Sequence, residues 1–128
     1  MADAEVVYEG GCSCGAVRYR LQGPPFKVGV CHCTSCRKET GSVFMPYGDW
    51  KAEQFSFTGP TRIWEGRSFC IVCGSRLFSP SPEHVEIKLG TLDAAPTDLV
   101  PTVEGWIKRR EPWLAPIEGA SQHREDPQ

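Results

Sequence analysis

The strongest constraint on this chain of 128 residues is the placement of its seven cysteines. Two of them form Cys12-Ser13-Cys14, followed by Gly15, and two more form Cys70-Ile71-Val72-Cys73, followed by Gly74. A Cys-x-x-Cys-Gly turn makes a knuckle whose backbone amides can point at thiolate sulfurs. Glycines around the first pair let its backbone approach an ion closely. Together the four thiols make a closed tetrathiolate zinc site that ties an N-terminal hairpin to a distant turn. A site of this kind contributes on the order of 10 kcal/mol to folding.

Cys31, Cys33 and Cys36 remain, within the run Cys31-His32-Cys33-Thr34-Ser35-Cys36. On an extended strand the period of two puts Cys31 and Cys33 on one face, and a tight turn through Thr34 and Ser35 brings Cys36 to join them. Three thiolates without an obvious fourth protein ligand are the donor set of a zinc ion with one open position. The alternative is a second structural zinc, completed by His32 or by a residue from elsewhere. Alternation directs His32 away from its two neighbours.

Charge narrows the partners. A net charge of −2 and a pI near 5.9 offer no general attraction to nucleic acid or to an anionic membrane, so neither is expected as a partner. No apolar run reaches the length of a membrane-spanning helix. Residues 1–5 are small and acidic, with neither the basic nor the apolar region of a secretory signal. An odd number of cysteines in such a chain argues for reduced thiols serving metal, and the expected compartment is cytoplasmic.

With 13 Gly and 11 Pro, the chain is expected to be mainly β, built of short strands with short helical turns. Strands are expected from Val6 to Tyr8, Ala16 to Leu21, Phe26 into Cys31, Ser42 to Tyr47, Arg76 to Phe78 and Val85 to Leu89. Arg37 to Gly41 reads as one exposed helical turn closed by glycine. Phe55 to Phe57 and Thr61 to Trp64 read as a hairpin around Thr58-Gly59-Pro60. The tryptophans at 50, 64, 106 and 113 read as core, with a pocket roof as the alternative, and Trp106-Ile107 and Trp113-Leu114 as anchors for the C-terminal segment. Residues 5–118 are expected to form a single zinc-binding domain, and 119–128 a frayed tail.

Three blocks, Gly11 to Tyr19, Cys31 to Ser42 and Phe69 to Phe78, resemble in order and spacing the signature blocks of the glutathione-dependent formaldehyde-activating enzyme family, which also contains centromere protein V. Weaker echoes follow at Gly90 to Asp93 and Pro101 to Leu114. The resemblance implies a β-tent fold, in which small antiparallel sheets are pinned by zinc. It implies two zinc ions per chain: a structural one on Cys12, Cys14, Cys70 and Cys73, and a catalytic one on Cys31, Cys33 and Cys36. The implied activity is a carbon–sulfur lyase reaction written in reverse, forming S-hydroxymethylglutathione from formaldehyde and glutathione. The sequence departs from the family's commoner pattern in the short link Glu65 to Ser68 and in Glu104, where many members carry histidine.

Adding a thiol to an aldehyde needs a thiolate, a polarised carbonyl and a resting place for the developing alkoxide charge. A zinc held by three thiolates is already anionic and calls for nearby cations. Arg37 and Lys38 follow the last ligand directly and are the candidate contacts for the carboxylates of glutathione or another small thiol. The expected function is therefore that of a lyase acting on small thiol adducts. The rival reading is a non-enzymatic, zinc-stabilised protein-binding module whose triplet zinc is closed. The sequence leaves the thiol, the aldehyde and homo-oligomer formation open.

Overall fold

A computed structural model describes residues 6–127 of the chain. They form eleven strands and one α-helix, arranged in two compact units: one built from the chain up to Phe26 together with Gly48–Thr97, the other from Lys27–Tyr47 together with Asp98 onward. The architecture is mainly β, in small sheets joined by turns. No helix among the described residues is long and apolar enough to cross a membrane.

The first unit opens with β1 (Val7–Gly11) and β2 (Arg18–Gln22), which pair antiparallel with Gly11 opposite Arg18. Alternation in β2 sends Tyr19 and Leu21 inward and Arg18 and Arg20 outward. After the strand β3 (Lys27–Cys31) and part of β4 (Met45–Lys51) the chain adds β5 (Phe55–Thr58), which pairs with β2. The run β6 (Thr61–Trp64), β7 (Arg67–Cys70), β8 (Arg76–Pro80) and β9 (His84–Lys88) then forms an antiparallel meander. Val17, Leu21, Trp50, Leu77, Phe78, Val85 and Ile87 are fully buried. Phe78 packs edge-on against Tyr19 and Phe55, with ring centroids 6.0 and 4.9 Å away.

The hairpin expected around Thr58-Gly59-Pro60 does not form. β5 joins β2, β6 joins β7, and the segment between them carries the chain from one sheet to the next. Gly59, at φ 109°, is pressed so close to Ala16 that an added Cβ would lie 2.1 Å from its carbonyl oxygen. Proline at 60 supplies no N–H for a ladder. The real hairpin turns at Glu65-Gly66, both at positive φ, which is the two-residue connection that matches strand twist. The short link after Trp64 is thus a tight turn leading straight into β7.

In the second unit β10 (Val103–Gly105) lies between β3 and β11 (Ser121–Gln122), parallel to both. These pairs are parallel, whereas β1 with β2, β2 with β5 and the β6 to β9 meander pair antiparallel, as expected. Val30, Met45 and Tyr47 are buried, and Gly29 leaves the space that Tyr47 fills, since a Cβ there would lie 2.6 Å from the tyrosine hydroxyl. The stretch from Gly119, expected to fray, is instead held by backbone bonds from Ser121 to Thr102 and from His123 to Glu104. Backbone pairing places it, which its polar side chains gave no sign of. Of the tryptophans only Trp50 is core. Trp64, on an edge strand, is 62% exposed, and Trp113, in a proline-flanked turn, is 70% exposed.

Candidate metal centres

All seven cysteines are free thiols, and they gather in two groups whose sulfurs lie within 4.8 Å of one another: Cys12 with Cys14, Cys70 and Cys73, and Cys31 with Cys33 and Cys36. The first group sits on two matching knuckles. Gly15, in the left-handed conformation, returns its N–H to Cys12 O at 3.2 Å, and Gly74 does the same to Cys70 O at 2.8 Å. Backbone amides then reach the sulfurs, from Val17 to Cys12 at 3.2 Å, Ala16 to Cys14 at 3.5 Å and Val72 to Cys70 at 3.3 Å. Ser75 links the knuckles, accepting from the Ser13 amide at 3.0 Å and lying 3.1 Å from Cys73 Sγ.

Sulfur separations of 3.5 Å (Cys12 to Cys14) and 3.8 Å (Cys14 to Cys70) fit a tetrahedral ion. Metal–sulfur bonds of about 2.3 Å set the edge of such a tetrahedron near 3.8 Å. Two of these thiols, Cys73 and Cys12, are poised for ionisation. Hydrogen bonds from the Ser75 hydroxyl and amide bring Cys73 down to about 5. Burial opposes ionisation of Cys12, but bonds from the Val17 amide and from Cys14 and Cys70 outweigh it and lower its pKa. Cys14, although the Ala16 amide favours its thiolate, is pushed up to about 12 by desolvation and by its bonds to the other three sulfurs.

The triplet is built by the end of β3 and the start of the helix. Cys31 closes the strand beside Gly105 of β10. Cys33, in extended backbone, is the N-cap of α1 (Thr34–Thr40), its sulfur accepting the Cys36 N–H at 3.3 Å. Thr34 and Ser35 form the helix's first turn, and Gly41 closes it in the left-handed conformation with its N–H on Arg37 O. A bond from Cys36 lowers the Cys31 thiol to about 6, and the same bond raises Cys36. Among the described residues no histidine or carboxylate joins the three sulfurs within that distance.

His32 points the other way, as alternation requires, and is 1% exposed. Its Nε2 lies 2.7 Å from Glu104 Oε2, and its Nδ1 is buried without a partner, so the ring proton is assigned to Nε2. Glu104 is equally buried and accepts from the Ile117 amide and from Gln122 Nε2, both at 3.0 Å, with Arg110 at 3.8 Å. Burial alone would raise its carboxyl; the bonds from Ile117, Gln122 and His32 and the charge of Arg110 hold it below the ordinary value. Glu104 therefore acts inside the unit, behind the strand that carries Cys31. Sequence patterning gave it no role there; it stood out as an acidic residue in an otherwise apolar Val103-Glu104-Gly105-Trp106 and as a departure from the histidine common in the resembling family.

The two candidate cations differ. Arg37 is held by Glu111 at 2.8 Å and by the carbonyls of Val43 and Arg109. Lys38 is exposed.

The chain is similar to known proteins in sequence and in fold. The family described as "Glutathione-dependent formaldehyde-activating enzyme" matches residues 7–109. A curated protein of Halomonas elongata named "Putative glutathione-dependent formaldehyde-activating enzyme" is 30% identical over 112 residues, covering 73% of this chain and 69% of the relative. A crystal structure of a Rhodobacter sphaeroides protein superposes with a TM-score of 0.53 at 18% identity, covering 73% of this chain and 97% of that one, a likeness of fold.

Proposed function

Because the chain belongs to the glutathione-dependent formaldehyde-activating enzyme family, we propose that it is a zinc-dependent carbon–sulfur lyase acting on small thiol adducts, with S-hydroxymethylglutathione formation from formaldehyde and glutathione as its reaction. Cys12, Cys14, Cys70 and Cys73 hold a structural zinc, and Cys31, Cys33 and Cys36 a catalytic one. The observation that carries the reading is the triplet, three sulfurs converging within 4.8 Å with no fourth histidine, cysteine or carboxylate among the described residues. A zinc bound there supplies a position at which a substrate thiol is held as its thiolate.

The chain's own residues divide the remaining work. β3 and α1 fix the three sulfurs on one side, and the amides of Cys33 and Cys36 donate to the sulfurs of Cys31 and Cys33. Lys38 is the cation free to meet a carboxylate of the tripeptide, and Arg37 holds Glu111 and the loop carbonyls in place beside it. In the reaction the sulfur's electron pair forms the new bond to the formaldehyde carbon. The carbonyl π pair moves to oxygen, and the proton lost by the thiol ends there, so the addition is balanced without another reactant.

The test is exchange spectroscopy on glutathione and 13C-formaldehyde. The zinc-loaded chain is expected to speed interconversion of free aldehyde and adduct, and Cys33→Ser, with its fold and structural zinc intact, to abolish the effect. Equal rates with wild type, variant and no protein contradict the proposal.

A further inference from the structure

We propose that β6 is a self-association edge, through which two copies of this chain pair antiparallel about a two-fold axis at Ile63. β6 ends its sheet, with β7 as its neighbour on one side. The two-residue turn at Glu65-Gly66 makes Trp64 and Arg67 the hydrogen-bonded pair next to it. The ladder then alternates, so Ile63 and Ser68 are a non-bonded pair, and the N–H and C=O of Ile63 point to the open edge.

The side chains on this edge are unusually bare. Ile63 and Trp64 are 60% and 62% exposed, and Ile71 and Val72 extend the apolar surface beside the start of the strand. Ile63 lies on the face of the inward-directed Ser68 and Cys70, an apolar residue in a core-facing row that nothing covers. Arg62 and Trp64 lie on the other face. Arg62 is exposed and makes no ion pair among the described residues, and beside it Arg76 already stacks on Phe69 at 5.1 Å.

Register selects the mode of pairing. Only residues whose backbone groups face outward can bond across the new seam, so outward-facing residues must oppose one another and the axis falls on a residue, never between two. An axis at Arg62 sets two guanidinium groups directly opposite, a destabilising pair. An axis at Thr61 drives Pro60 into the seam, and one at Trp64 runs into the turn. With the axis at Ile63 the two Ile63 residues exchange backbone bonds and bury each other, and Arg62 faces Trp64 of the second copy twice over, a cation-π pair. The isolated charge that ordinarily guards an edge strand is here complementary to the same strand reversed. The seam is three strand residues, Arg62 to Trp64, from each copy, with Thr61 opposite the turn, so the dimer is weak and concentration-dependent.

Sedimentation velocity of the full zinc-loaded chain, under reducing conditions and over a concentration series into the millimolar range, tests this. The wild type is expected to pass from monomer to dimer. Ile63→Pro removes the outward N–H without breaking a bond to β7 and is expected to weaken association by about tenfold or more. Arg62→Glu, whose side chain is exposed, is expected to do the same with zinc content and circular dichroism unchanged, and it carries the test if the proline variant fails to fold. A monomer at every concentration, or a dimer indifferent to these substitutions, overturns the proposal.

Discussion

Replacing Glu104 by alanine should be among the most damaging single changes outside the cysteines. The variant strands the Ile117 amide, the Gln122 amide and the His32 N–H, all of which now end on one buried carboxylate, and leaves Arg110 without its anion. A buried donor without a partner costs about 1–3 kcal/mol, and breaking a buried charged pair about 3–5 kcal/mol. Because these losses overlap at one group, the expected total is about 4 kcal/mol, a large part of the 5–15 kcal/mol typical of a domain. Glu104→Gln keeps one acceptor oxygen and should lose about 2 kcal/mol. Glu111→Gln, at a partly exposed pair with Arg37, should lose no more than about 1 kcal/mol. The assay is urea unfolding followed by tryptophan fluorescence at fixed free zinc, with the slope unchanged. The pH dependence carries a sign. Glu104 has a lowered folded-state pKa, so its stabilisation is complete above the ordinary 4.5 and is lost as pH falls through the lower folded value. The gap between wild type and Glu104→Gln should therefore close in acid, where zinc release is common to both. A Glu104→Ala variant within about 1 kcal/mol of wild type would refute the reasoning.

Three further outcomes follow from the site. Replacing Cys70 should unfold the first unit, whereas Cys33→Ser should leave the chain folded and lacking the second metal; equal loss of stability by both, read by circular dichroism and zinc content, would deny the division between the clusters. With the triplet's metal removed and the other retained, iodoacetamide at pH 7 should alkylate Cys31 before Cys36, since their shared bond favours the Cys31 thiolate; mass spectrometry of the peptides reads the order. Lys38→Gln should weaken glutathione binding and flatten its salt dependence without changing zinc content, and an unchanged salt slope would remove Lys38 from the site.

The cysteine spacing made both clusters legible in the sequence, because knuckles and alternation are local geometry. Gly15 and Gly74 close turns that three or four residues define by themselves, and His32 faces away from Cys31 and Cys33 by the strand's own period. Partner choice was not legible. Phe55 to Phe57 and Thr61 to Trp64 carry the pattern of a hairpin, yet Gly59 is recruited by Ala16, a contact 43 residues away in sequence. Glu104 was visible only as an oddity, since its meaning lies in donors from His32, Ile117 and Gln122. The C-terminal strand β11 was invisible for the same reason: Ser121 and Gln122 have little to bury, and backbone bonds to a neighbour hold them. The pairing of Arg37 with Glu111 likewise joins residues far apart, so sequence could name both cations but not tell which was free.

The measurement closest to the central claim is zinc X-ray absorption on the loaded chain, with and without glutathione. The account predicts a closed four-sulfur site and a three-sulfur site completed by a light atom, with the mean number of sulfur neighbours rising on addition of glutathione and staying constant in Cys33→Ser. All-sulfur coordination before any thiol is added, or a spectrum that glutathione does not change, would contradict it.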